Sequence, residues 1–132
     1  MNGRGRPFPL SLARLRPTQG KDASELLEIA VSDDGGVRLV RLTGELDMAG
    51  VNDFDRLLGA DGADEVATVV LDLRGLTFID SSGLRALIMA DQRVREGGGR
   101  FVVVRGSDRV NQVMEMTGVA QRMELVDEPP AG

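Results

Sequence analysis

The segment Phe78-Ile79-Asp80-Ser81-Ser82-Gly83-Leu84-Arg85-Ala86-Leu87 is the most informative part of the chain. In it an apolar run ends in an acid and two hydroxyls, and an amphipathic pattern begins directly after Gly83. This order predicts a strand and a short loop that lead into the first turn of a helix. The two serine hydroxyls then lie where backbone N–H groups are unpaired and the helix dipole is positive, which favours a negative group such as a phosphate. The plainer alternative is that Asp80 or Ser81 only caps the helix.

Several residue types on which enzymes commonly depend are missing. The chain has 132 residues, enough for one domain, and contains no Cys, His, Tyr or Trp. Thiolate chemistry, disulfides, imidazole bases and most transition-metal sites are therefore excluded. We expect a recognition module, or a substrate for another protein's chemistry, with no metal and no cofactor of its own, rather than an enzyme.

Charge is distributed unevenly. Residues 1–21 carry five basic side chains and no acid, which leaves 11 bases, 21 acids and a net charge of −10 in residues 22–132. The acidic body argues against direct DNA binding. The basic arm, with its prolines and glycines, predicts a disordered N-terminal tail over residues 1–22, the alternative being contact with nucleic acid or an acidic partner. No segment fits a membrane span or a signal peptide, so we expect no membrane contact and a cytoplasmic location.

Short apolar runs alternate with helical patterns over residues 23–127, in the order β-β-α-β-α-β-α with a possible final strand. The acidic, glycine-rich segment 32–36 predicts a hairpin between the first two strands. Strands separated by helices need crossover connections, so we predict an α/β fold with a single mixed sheet of about four to five strands and packed helices. Residues 128–132 are predicted to form a disordered C-terminal tail.

Two polar segments should meet at one edge of this sheet. Thr43-Gly44-Glu45-Leu46-Asp47 is predicted to be a loop after the second strand, and Asp80-Ser81-Ser82 follows the third strand, predicted over Thr68–Leu73. The loops at the carboxyl ends of strands in such a sheet gather functional groups. Glu45-Leu46-Asp47 and Asp80-Ser81-Ser82 are therefore expected to project from the same edge.

These motifs resemble the STAS family, small domains typified by bacterial anti-sigma factor antagonists. The resemblance rests on Leu42-Thr43-Gly44-Glu45-Leu46-Asp47, on the segment from Leu71 to Leu84 and on Gly118, and it covers roughly residues 24–126. It implies that the chain binds an anti-sigma factor that is also a serine kinase and so releases a sigma factor. It also implies that Ser82 is the residue phosphorylated, with a phosphatase to reset it.

The resemblance gives the neighbouring residues roles as well. Ser81 becomes the hydrogen-bonding neighbour of Ser82, and Asp47 contributes to kinase docking. Arg85 is left with several possible partners, namely Asp80, Asp47 or the phosphate, or with none. The partner-binding residues implied are Asp47, Asp80, Ser81, Ser82, Gly83 and Arg85, on a monomer or weak dimer. The alternative function is a STAS scaffold or regulatory subunit of a larger signalling complex.

Three further features bear on this interpretation. Asp72 ends an apolar run as the phospho-acceptor of a response regulator does, but the early acidic pair of that family is missing, and we expect Asp72 to support the loop after it. Many relatives carry Thr, Ser or Asn where this chain has Gly50, so the first helix loses a side-chain oxygen at its start. The closing helix of the family has no counterpart after Val126, which implies that one face of the sheet is less covered.

Overall fold

One sheet organises the part of the chain that the structure describes. The structure is a computed structural model, and it describes residues 11–13, 26–58 and 67–130. Its strands follow one another across the sheet in the order of the sequence. They are β1 (Ser11–Ala13), β2 (Leu27–Asp34), β3 (Val37–Leu46), β4 (Thr68–Ile79), β5 (Arg100–Val104) and β6 (Glu124–Val126).

The sheet is antiparallel at one side and parallel at the other. β1, β2 and β3 pair antiparallel, whereas β3, β4, β5 and β6 pair parallel. The turn between β2 and β3 has two residues, Gly35 and Gly36, with φ of 59° and 85°. Positive φ at both positions is the geometry that lets a two-residue turn match the twist of its strands. The predicted hairpin and the single mixed sheet are both confirmed.

The parallel strands are joined by helices. These are α1 (Met48–Leu58), α2 (Ser81–Glu96) and α3 (Asp108–Met116), followed by a short 3₁₀ helix (Val119–Arg122). Ser107 accepts a hydrogen bond from the Val110 N–H and so caps α3. Gly118 has a φ of 83° and separates α3 from the 3₁₀ helix. In the described ranges, no helix is long and apolar enough to cross a membrane.

Two strands are longer than their patterns predict. The loop predicted over Thr43–Asp47 is wrong, because β3 continues through Leu46, and β4 runs to Ile79 instead of ending near Leu73. The extra residues pair with each other in parallel, so their backbone groups are satisfied by the sheet. β4 takes up two more residues than β3 over this stretch through two bulges.

The N-terminal arm also departs from its prediction. A disordered tail over residues 1–22 is wrong for Ser11–Ala13, which form β1 at the edge of β2. This strand brings the sheet to six strands, one more than predicted. The other residues of that stretch lie outside the described residues, as do Ala131 and Gly132 within the predicted C-terminal tail.

The core lies mainly between the helices and one face of the sheet. Helix residues such as Phe54 and Leu87 are fully buried there, in one cluster with the strand residues Leu42 and Leu71. The alternate residues of the central strands point the other way. They form a second, smaller cluster, which contains Val70, Val102 and Val104 with Val37, Leu39 and Val126 packed against them.

Candidate functional site

The ends of β3 and β4 bring the two polar segments of the sequence together. Leu46 lies opposite Ile79 in the parallel ladder, and the Asp80 N–H donates to the Leu46 carbonyl at 3.3 Å. Asp47 and Asp80 are the next residues of their strands, and α1 and α2 begin directly after them. The expectation that the two segments project from one edge of the sheet is confirmed.

Asp80 is the N-cap of α2. Its side-chain Oδ1 accepts from the Gly83 N–H at 2.9 Å, and its carbonyl accepts from the Leu84 N–H at 2.9 Å. The N–H groups of Ser81 and Ser82 are thus left over at the positive end of the helix dipole. The plainer interpretation therefore holds for Asp80, whereas the serines have no part in the cap.

The two serine side chains differ in exposure. Ser81 is exposed and Ser82 is half-buried. Within the described residues neither hydroxyl takes part in a hydrogen bond, and the bond between Ser81 and Ser82 that the resemblance implies is not among the contacts. Both hydroxyls are consequently available to a ligand or to a modifying enzyme.

Gly83 lets α2 approach the sheet closely. A Cβ atom at this position would lie 2.7 Å from the Leu46 carbonyl oxygen and 2.7 Å from Ile79 Cγ1. Real Cβ atoms do not come so close to other atoms, and the carbonyl belongs to the ladder and cannot move aside. Packing therefore requires a glycine at position 83. This glycine keeps the start of α2, and with it the two serines, close to the ends of β3 and β4.

An open groove runs from the start of α2 towards the segment after α3. It has a volume of about 490 Å³. Arg85 is exposed there and makes no ion pair with any described residue, so neither Asp80 nor Asp47 is its partner. The groove is lined by Ser81, Ser82, Leu84, Arg85, Ile88, Thr117 and Val119.

Sequence reasoning missed the far wall of this groove. Thr117 and Val119 flank Gly118, which the sequence analysis singles out only as part of the family resemblance. Met116 and Met89 are exposed to 77% and 49%, although both lie on amphipathic helices. Neither methionine lines the groove, and no pattern in the sequence indicates its far wall.

Asp47 supports the start of α1. Its Oδ1 accepts from the Ala49 N–H at 3.1 Å, and its carbonyl accepts from the Gly50 N–H at 2.9 Å. The start of α1 is therefore capped by Asp47, although Gly50 carries no side-chain oxygen. Gly50 itself is buried, and a Cβ there would lie 2.9 Å from Leu27 Cδ2. Asp47 remains half-exposed and next to the serines.

Asp72 lies away from this edge and has a structural role. It is 1% exposed, and its carboxylate accepts from the Arg74 backbone N–H and side chain at 2.9–3.0 Å and from Arg41 at 3.4 Å. Burial alone would raise the pKa of Asp72, but the hydrogen bonds from Arg74 and the charges of Arg74 and Arg41 outweigh it, so the pKa lies below the ordinary value. The expectation that Asp72 supports the segment after it is confirmed.

Comparisons with known proteins agree with this geometry. The model of the STAS domain matches residues 28–129. An anti-sigma F factor antagonist of Paenibacillus polymyxa is 30% identical over 103 residues, which cover 76% of this chain and 87% of that protein. The anti-sigma-F factor antagonist RsfB of Mycobacterium tuberculosis is 28% identical over 85 residues, 64% of this chain and 70% of that protein.

A solved structure shows the same fold. The crystal structure of an anti-sigma factor antagonist from Mycobacterium paratuberculosis has a TM-score of 0.69 and 27% sequence identity, and covers 77% of this chain and 86% of that chain. The α/β fold and the similarity to anti-sigma factor antagonists, both inferred from the sequence, are confirmed. Because the family model spans most of its length, this chain belongs to the STAS domain family.

Proposed function

We propose that this chain is an anti-sigma factor antagonist, which binds an anti-sigma factor of the serine-kinase type and so releases a sigma factor. The kinase phosphorylates Ser82, phosphorylation ends binding, and a phosphatase resets the protein. In this role the chain is a cytoplasmic binding module and not an enzyme, and it is a monomer or weak dimer. Its partner surface consists of Asp47, Asp80, Ser81, Ser82, Gly83 and Arg85.

One observation carries this proposal. The Ser82 hydroxyl lies at the N-terminus of α2, on the wall of an open groove, with no hydrogen bond to any described residue. The phosphoryl group of ATP is transferred to Ser82 Oγ with magnesium, the hydroxyl proton leaves, and ADP is the second product. The acceptor needs no base from this chain, because the kinase supplies the chemistry.

The charge of the product explains why phosphorylation acts as a switch. A phosphoserine adds about −1.5 to −2 charge, which the N-terminus of α2 accommodates well. At the interface with the kinase the same dianion has to be desolvated, and it draws Arg85 away from the acidic group of the partner, which is left unpaired at a cost of about 2–5 kcal/mol. Since about 1.4 kcal/mol corresponds to a factor of ten in affinity, this cost is enough to dissociate the complex.

Arg85 is placed to respond to the phosphate. It lies three residues after Ser82 on α2, on the same groove, and no described residue neutralises it. Residues three apart on a helix are neighbours on its surface. In the unmodified protein the Arg85 guanidinium is available to an acidic group of the partner, and in the phosphorylated protein it pairs with the phosphate instead.

The acceptor is tested by direct phosphorylation. The full chain, its Ser82→Ala variant and the matched Ser81→Ala variant are incubated with an anti-sigma kinase, ATP and magnesium, and the products are mapped by peptide mass spectrometry. We expect phosphate on Ser82 in the wild type and in Ser81→Ala, and none in Ser82→Ala. Phosphate chiefly on Ser81, Thr77 or Thr43 would contradict the assignment. A stable high-order assembly in place of a complex with the kinase would favour the scaffold function.

A further inference from the structure

The arginines that have no ion pair with a described residue all lie on helices after the functional edge. Seven of the 11 arginines that the structure describes form an ion pair, among them Arg56 with Asp53 and Arg95 with Asp91. The other four are exposed and are paired with no acid in the described ranges. They are Arg85 and Arg93 on α2, Arg109 on α3 and Arg122 on the 3₁₀ helix.

Charge along the sequence is divided in the same way. Residues 22–80 carry 14 acids and four bases, whereas residues 81–123 carry seven bases and four acids. One of those four acids, Asp91, is buried and already paired with Arg95. The helices after the functional edge thus form a basic region on an acidic protein, and such a region attracts a partner of negative charge.

Three of the four arginines share one surface. The Arg95 side chain donates to the Arg122 carbonyl oxygen at 3.0 Å and so holds the 3₁₀ helix beside the last turn of α2. Towards the first turn of α2, Val119 lines the same groove as Arg85. The segment from Val119 to Arg122 therefore runs along α2, with Arg85 at one end of this surface and Arg93 and Arg122 at the other.

The groove and its surroundings add an apolar component to this surface. Met89 lies one turn from both Arg85 and Arg93 on α2 and is 49% exposed. Met116, directly before Thr117 of the groove, is 77% exposed. Methionine side chains adapt to the shape of a partner. The apolar residues that line the groove itself are Leu84, Ile88 and Val119.

We propose that Arg85, Arg93 and Arg122, together with the groove, form a basic face that binds an acidic segment of the anti-sigma factor. An apolar side chain of that segment fills the groove, and its carboxylates pair with the arginines. Charge selects this occupant, because an acidic segment is attracted to the basic face and repelled by the rest of the protein. The inference rests on the proposed function, and it extends the interface from the start of α2 to its last turn.

Binding kinetics test the arginines. Arg93→Gln with Arg122→Gln removes two exposed charges whose side chains bond to no described residue, so the fold should be unaffected. The matched control, Arg56→Gln with Arg105→Gln, removes the same charge from exposed ion pairs outside the basic face. At low salt we expect the first variant to associate with the kinase about tenfold more slowly than the wild type, and the control to differ by less than about twofold. High salt should abolish the difference. Equal rates for the two variants would overturn the proposal.

The lack of cysteine in the chain allows the occupant to be identified directly. A photo-cross-linker is attached to Met89→Cys on the basic face and, as the control, to Asn52→Cys on the exposed side of α1, each in the complex with the kinase. We expect peptide mass spectrometry to find only Met89→Cys joined to a kinase segment rich in Asp and Glu. Cross-linking of Met89→Cys to a basic or uncharged segment would overturn the proposal.

The outcome can be told apart from that of the Ser82 test. If the kinase phosphorylates Ser82 but the two double variants associate at equal rates, the basic face is wrong and the proposed function stands. A wild-type chain that the kinase neither binds nor phosphorylates would contradict both. Binding of a second copy or of a DNA duplex, present in the wild type and lost in Arg93→Gln with Arg122→Gln, would assign the face to another occupant and overturn the inference.

Discussion

The two helices that begin at the functional edge start in the same way and end up with different surfaces. α1 starts within the segment Asp47-Met48-Ala49-Gly50, and α2 starts within Asp80-Ser81-Ser82-Gly83. In both, the aspartate accepts a hydrogen bond from a backbone N–H of the first turn, and the glycine three residues later is buried against the sheet. The shared aspartate and glycine therefore have a structural explanation at either helix.

The residues between them carry the difference. α1 presents Met48 and Ala49, whereas α2 presents two hydroxyls with no hydrogen bond to any described residue. The glycines differ as well, since Gly83 lies against a backbone carbonyl and Gly50 against the end of a leucine side chain. The aspartate and the glycine thus build both helix starts, and the two serines between them distinguish α2 from α1.

The largest effect should come from filling the space beside the two glycines. Gly83→Ala places a methyl group against the Leu46 carbonyl and should lower the free energy of unfolding by about 3 kcal/mol. Gly50→Ala meets only the movable end of Leu27 and gains helix propensity, so we expect a change within about 0.5 kcal/mol. Urea unfolding of both variants measures the difference. Equal losses would show that the two helix starts are packed alike.

Asp72 is a third aspartate, within β4, and stands at no helix start. Asp72→Asn should cost about 2 kcal/mol, because charged hydrogen bonds to Arg74 are lost. The pKa of Asp72 is lowered in the folded state from an ordinary 3.8. Its contribution is therefore complete above that pH and is lost as the pH falls through the lowered folded value.

The pH dependence checks this sign. We expect wild-type stability to fall towards acid more steeply than that of Asp72→Asn, with the two curves converging below the folded pKa of Asp72. Thermal melts at several acidic pH values give both curves. A constant difference between them at every pH would show that packing of Asp72, and not its charge, is what matters.

The capping aspartates should have a smaller effect. Asp80→Ala and Asp47→Ala each remove an acceptor for a first-turn N–H and should cost about 1 kcal/mol. Asp80→Asn and Asp47→Asn are the matched controls, since asparagine also caps helices. Chemical unfolding of the four variants tests whether both aspartates stabilise the helix that follows them. An unchanged free energy of unfolding in both alanine variants would mean that the aspartates serve partner binding and do not stabilise the helices.

The serines should matter least for folding. Neither hydroxyl is bonded within the described residues, so Ser81→Ala and Ser82→Ala should change the free energy of unfolding by less than about 0.5 kcal/mol. The same denaturation measurement applies. A loss of unfolding free energy as large as that of the capping variants would show that the serines, like Asp80, support the start of α2. It would weaken the distinction between the two helix starts.

The sequence predicted the sheet, its helices and the functional edge because these depend on local signals. The apolar runs, the Gly35-Gly36 turn and the acid at position 80 each act over a few residues. The far wall of the groove could not be predicted, since Thr117 and Val119 are distant from the serines in the sequence and line the same groove only once the chain is folded. The continuation of β3 through Leu46 was missed for a related reason, because it depends on pairing with a strand more than 20 residues away.

The N-terminal strand shows a different limit of sequence patterns. Composition argues for disorder over residues 1–22, and a three-residue strand such as Ser11–Ala13 has too little alternation to argue against it. What orders it is the open edge of β2, a feature that exists only once the sheet has formed. A strand that forms only because the edge of a finished sheet is available therefore cannot be predicted from the local sequence pattern.

The central claim is that added charge at Ser82 breaks the complex with the kinase while the fold of α2 stays intact. Titration calorimetry of Ser82→Asp and Ser82→Ala against the anti-sigma kinase tests it most directly, with thermal melts of both variants as the control for folding. We predict that Ser82→Ala binds nearly as the wild type does and that Ser82→Asp binds at least about 30-fold more weakly. Equal affinities in two well-folded variants would place Ser82 outside the interface and contradict the electrostatic switch.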